Sequence, residues 1–265
     1  MARWMDALRR CGWLVLLGWS VLVQANVPGN TFIPGVSIAP GANVDNRLAD
    51  ERILLFDSQA RFQTDGTMLV DETIQVQSTG EQIKRGIFRT LPLVWYRQDG
   101  STFRLAYQIT QVLRDGEPES YSIDQTGEQI KVLIGRTDRQ LQPGVYRYRI
   151  QYQVSNHFSR FPDWDELYWN VTGNGWSHPI NQVRFRLYLP EQAAFLSASG
   201  KDTRLQSIDV YTGPVGRKGD NARILADGSI ETLAPLQPGE GVTVAYTWPR
   251  SILASAPAPQ EDSLL

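Results

Sequence analysis

The sequence predicts an all-β protein, an antiparallel β-sandwich that is either immunoglobulin-like or two-lobed. Three observations carry that expectation: apolar residues recur with period two, helical periodicity is scarce, and Asp-Gly dipeptides punctuate the apolar runs. Strands in such a sandwich keep one apolar face on the core and one polar face in water, which is what this alternation describes. With 265 residues, 42% of them hydrophobic and 20% charged, the chain can bury a core without a disulfide or a metal staple.

Residues 1–25 read as a signal peptide. Arg3, Arg9 and Arg10 precede an apolar run from Trp13 to Val23, and Val23-Gln24-Ala25 supplies small residues for cleavage. The run is shorter than the roughly 20 residues a membrane span needs. Removing this leader takes Cys11, the single cysteine, and moves the formal net charge from −2 to −4. Residues 26–49, with Pro-Gly at 28, 34 and 40, read as an extended linker. Residues 250–265, rich in Ala, Pro and Ser, read as a second linker. The β-rich body is expected over 50–249.

Strands within it are expected at Ile53 to Phe62, then from Met68 to Val76 after the Asp65-Gly66 turn. Gly86 reads as a positive φ or a close backbone approach, and Pro92 as the end of a strand. Further strands are expected at Phe103 to Leu113, Ile130 to Ile134 and Val145 to Val154. The last sets Tyr146, Tyr148, Ile150, Tyr152 and Val154 against Arg147, Arg149, Gln151 and Gln153. Glu166 to Thr172, Gln182 to Pro190, Ile230 to Leu233 and Val242 to Trp248 complete the series. Asp99-Gly100, Asp115-Gly116 and Asp227-Gly228 read as turns between strands.

Composition narrows the chemistry. One cysteine and two histidines exclude a structural zinc set and Cys–His nucleophile chemistry, and no cofactor is expected. Basic residues form no run longer than two, so no nucleic-acid partner is expected. The densest polar–aromatic stretch is Asp163 to Asn170, with Trp176 close behind. Paired carboxylates from Asp163, Asp165 and Glu166 beside Trp169 and Trp176 would suit a carbohydrate-binding or carbohydrate-active site. The same acids would also suit calcium, although an EF-hand spacing is absent. The plainer reading places Leu167, Trp169 and Val171 on the core face of a strand, Glu166, Tyr168 and Asn170 on the other, and Asp163 and Asp165 in a solvated loop. The second compact motif, Arg85 to Pro92, offers Arg85 and Arg89 as anion-binding forks. An ion pair between these arginines and the acidic loop is expected, joining the two motifs in space.

Taken in order, Asp65-Gly66-Thr67, then RGIFRTLP from Arg85, then DELYWNVTGNGW from Asp165 to Trp176, resemble one family. The chain is similar to the bacterial predicted membrane proteins known as domain of unknown function 2207, from about Ile53 to Trp248. The resemblance implies an exported β-rich ectodomain at the outer face of the cytoplasmic membrane, with membrane spans following in the parent protein. It brings no catalytic residues. The expected job is therefore non-enzymatic binding or sensing, with a protein or envelope ligand as the partner.

Overall fold

The computed structural model describes residues 50–96 and 101–260. The expected leader and Pro/Gly linker, the turn at Asp99-Gly100 and the last five residues lie outside them. Almost everything described is strand or turn: β1 (Arg52–Phe62), β2 (Met68–Ser78), β3 (Gly86–Pro92), β4 (Val94–Tyr96), β5 (Thr102–Arg104), β6 (Ala106–Arg114), β7 (Glu117–Pro118), β8 (Tyr121–Thr126) and β9 (Gln129–Gly135). The series continues with β10 (Gly144–Ser155), β11 (Ser159–Arg160), β12 (Trp164–Asn170), β13 (Val183–Tyr188), β14 (Ser207–Gly213), β15 (Ala222–Ile224), β16 (Ile230–Thr232) and β17 (Gly241–Pro249).

Eight strands form the larger sheet, in the order β15-β16-β13-β1-β2-β10-β6-β7. A four-stranded sheet, β11-β12-β17-β14, and a three-stranded sheet, β3-β9-β8, pack on its apolar face. Period-two burial explains the packing. Met68, Val70, Glu72, Ile74 and Val76 of β2 point inward, as do Tyr148, Ile150, Tyr152 and Val154 of β10. Val242, Val244, Tyr246 and Trp248 of β17 close from the other side, with Phe62 against Trp248 at 5.2 Å and Phe185 against Tyr246 at 5.9 Å. Burying Trp169, Trp248, Tyr148, Tyr152 and Tyr246 supplies much of the apolar driving force.

Pairing is antiparallel except between β1 and β13, which run parallel. A parallel pair needs a long crossover, and here eleven intervening strands provide it. The Asp115-Gly116 turn forms as expected: both residues have positive φ, the signature of a two-residue type I′ hairpin between β6 and β7. Two expectations need correcting. Phe103 to Leu113 is two strands, because Leu105 turns into the core and donates its N–H to Leu93 O. The expected C-terminal linker is docked as far as Gln260. Leu253 and Ala256 are buried, Arg160 donates to the carbonyls of both, and Asn156 exchanges two hydrogen bonds with the Gln260 backbone. Apolar residues spaced among the prolines give that segment something to bury.

Candidate functional site

The two sequence motifs meet, though not through the acids. Along β3, Ile87, Arg89 and Leu91 point into the sandwich, and Arg89 is 1% exposed. Across the core stands Glu72 of β2, fully buried. Arg89 donates from Nε and Nη2 to the two carboxylate oxygens of Glu72, each at 2.7 Å. Its remaining hydrogens go to Val171 O at 2.9 Å, Thr172 O at 2.8 Å and Thr90 O at 3.1 Å. All five guanidinium donors are thereby used. Tyr152 donates its hydroxyl to the same carboxylate at 2.8 Å. Burial works against the arginine's charge, but the Glu72 carboxylate outweighs it and holds the Arg89 pKa above its ordinary value.

The expected ion pair of Arg85 and Arg89 with the acidic loop is replaced by this arrangement. Asp165 bonds Arg160 of β11 instead, at 3.0 and 3.1 Å. Geometry is the reason: the acids sit where β12 begins, while Arg89 reaches the carbonyls just beyond its end. Asp165 is also no solvated loop acid. The strand starts at Trp164, so Asp165 shares the inner face with Leu167 and is fully buried. Asp163 is exposed in the preceding turn, Glu166 is half-buried on the outer face, and Arg85 is exposed. The three acids therefore lie in three different environments: an exposed turn, the buried inner face and the half-buried outer face.

Trp169 is 1% exposed, its ring 4.8 Å from that of His157. Trp176 is half-buried, edge-on to Phe56, and donates Nε1–H to Thr172 O. Asn170 ties the following turn, accepting from Gly173 N and donating to Asn174 Oδ1. Gly173, at φ 72°, is needed there, since a Cβ would lie 3.3 Å from Arg89 Nη1. The turn is built to deliver two carbonyls to the arginine.

Above the ion pair runs a cleft of about 810 Å³. All of β3 forms one wall; the turn from Thr172 to His178 forms the other, with Trp95, His157 and Trp169 deeper in. Four of the sequence candidates, Arg89, Trp169, Asn170 and Trp176, line it. Arg85, Asp163, Asp165 and Glu166 do not. Residues that sequence reading missed include Glu72, an acid at an inward position of a regular strand, whose alternation was the available signal. Glu51 was missed too. Its carboxylate accepts the backbone N–H groups of Thr79 through Ile83 and so fixes the loop beside the cleft. Those N–H groups outweigh burial and lower its pKa. Among the described residues no cluster of His, Cys, Asp and Glu would hold a metal ion.

His157 gives this region a pH response. Its Nε2 lies 3.1 Å from Tyr168 O and serves as the donor, leaving Nδ1 buried without a partner. Burial pushes its imidazole down to about 4, partly opposed by the Tyr168 carbonyl. The unfolded chain, titrating near 6.5, therefore takes up the proton first. The stability this group contributes is full above about pH 6.5 and is lost as pH falls toward 4, by about 3 kcal/mol. In urea titrations between pH 7 and 4.5, His157→Gln should flatten the fall of the midpoint. An unchanged slope would show that His157 is not the sensor.

Fold and site together define an all-β sandwich module with a surface cleft laid over a buried ion pair. The chain belongs to the family described as the predicted membrane protein (DUF2207) N-terminal domain, whose model matches residues 52–248. It is 40% identical over 215 residues to the uncharacterized protein YciQ of Escherichia coli (strain K12), covering 81% of this chain and 33% of that protein. The chain thus spans about a third of that relative's length. Among solved structures, native yeast LTA4 hydrolase aligns at a TM-score of 0.40 and 10% identity, over 76% of this chain and 29% of that one. The M1 zinc metallopeptidase of Deinococcus radiodurans aligns at 0.35 and 14%, over 73% and 42%. At such scores neither carries an argument. Among the described residues no helix is long and apolar enough to cross a membrane.

Proposed function

We propose that the domain is a non-enzymatic binding module on the outer side of the cytoplasmic membrane, whose cleft receives a segment of another polypeptide. The signal-like leader supports export, and membership of a family of predicted membrane proteins supports attachment there. The observation that carries the reading is the convergence of both motifs on one cleft. Arg89 gives two of its five donors to the Val171 and Thr172 carbonyls and two to Glu72, so a buried charge ties β3 both to β2 and to the turn that forms the other wall. The carbohydrate-active reading loses support because Trp169 offers no exposed ring and Asp165 is buried against Arg160.

A photo-crosslinking residue tests this directly. Phe88, half-exposed on β3, is the probe site; Val145, exposed to a similar degree on β10, is the control. In the intact protein within its cell envelope, position 88 should give a discrete protein adduct that position 145 does not. Identical patterns from both, or none at 88, would reduce the domain to a spacer.

A further inference from the structure

The cleft's β3 wall is a sheet edge, open at Gly86 and Phe88 and met at Thr90 by the Gly173–Gly175 turn. In an antiparallel pair, opposite residues alternate between exchanging both backbone hydrogen bonds and exchanging none. Gly135, opposite Gly86, donates its N–H to Ser120 O on the β8 side, while Leu93 donates to Glu128 O. Ile87, Arg89 and Leu91 therefore bond β9, and Gly86, Phe88 and Thr90 turn their N–H and C=O groups to the cleft. Thr90 O is taken by Arg89; the other backbone groups of that row have no partner among the described residues. Pro92 falls on the same outward row, where a missing N–H costs no ladder bond.

Charge lies along this edge. Lys84, Arg85 and Lys131 are exposed and carry no ion pair among the described residues, and Lys131 rests over the Phe88 ring at 4.3 Å. Asp124 stands opposite Lys131 on β8, but no ion pair joins them. Unprotected edges are pairing templates, and basic flanks both discourage self-pairing and favour an acidic partner. We infer that β3 takes up an extended, acidic and apolar polypeptide segment by strand addition, with backbone bonds to the Gly86 and Phe88 N–H groups and carboxylates near Lys84, Arg85 and Lys131. This rests on the binding reading above and adds the mode and the partner's chemistry.

The probes are three capped heptapeptides: alternating Glu and Val, alternating Lys and Val, and the Glu-Val peptide N-methylated on alternate residues. Backbone amide spectra of the purified chain report binding. The Glu-Val peptide should shift the Gly86 and Phe88 amides and slow their exchange, and Arg85→Glu with Lys131→Glu should weaken it at least tenfold. The Lys-Val and N-methylated peptides should fail to bind the edge. Equal binding of the acidic and basic peptides, binding indifferent to N-methylation, or no shift at Gly86 and Phe88 would each overturn strand addition. A discrete adduct at position 88 alongside such a failure would leave the binding reading standing and remove only its mode.

Discussion

Arg89→Met is expected to lower the free energy of unfolding by about 3–5 kcal/mol, the range for breaking one side of a buried ion pair. Methionine keeps much of the side-chain volume, so the loss is electrostatic and not a cavity. Glu72 would be left charged in a site that water does not reach, with only the Tyr152 hydroxyl for a partner. Three carbonyls, of Thr90, Val171 and Thr172, would lose the donors they share with the arginine. Urea unfolding measures the effect as a lower midpoint at unchanged slope. Adding Glu72→Leu to Arg89→Met should return a large part of the stability, because an apolar pair no longer needs compensation. It should not return the cleft: without the guanidinium, no hydrogen bond among the described residues joins β3 to the turn that follows β12. Backbone amide shifts of Gly173 and Asn174 should therefore stay displaced from those of the parent protein in the double variant. A double variant as unstable as the single one would show that the ion pair contributes more than the desolvation it costs.

Much of the fold was readable because burial imposes a period of two, and the strongest alternation, Val145 to Val154, forms β10 almost as bounded. Strands without a buried face gave no such signal. All six residues of β8 are exposed, so nothing in their sequence demanded alternation. The site was half-readable. The motifs drew attention to Arg89, Trp169, Asn170 and Trp176, but their partners were unreachable by spacing. Arg89 finds its carboxylate 17 residues earlier and its carbonyls 82 and 83 residues later. Backbone carbonyls carry no sequence signature at all, whereas Asp163, Asp165 and Glu166 are visible as acids, so only they offered a partner. Asp165 went astray for a smaller reason: placing the start of β12 two residues late hides which face the acid shares.

Gly86→Ala should be nearly as costly, by about 3 kcal/mol, through strain and overpacking and without any change of charge. Gly86 sits at φ 150° opposite Gly135 at φ 128°, where the two strands approach closely. A Cβ on Gly86 would fall 1.7 Å from Ile134 O, and one on Gly135 would fall 1.9 Å from Arg85 O. Both obstacles are backbone, which no rotamer change can clear. The strands must separate, and separation at this end pulls on the register that brings Arg89 to Glu72. Two consequences distinguish this account from a general loss of stability. Gly135→Ala should cost about as much as Gly86→Ala, and the double variant should cost less than the sum, since the first substitution already parts the strands. Gly127→Ala, at a positive φ but with nothing within 4 Å, should show the smaller cost of backbone strain alone. Urea midpoints for the four variants settle it: if Gly86→Ala and Gly127→Ala prove equal, the close approach is not what requires the glycine.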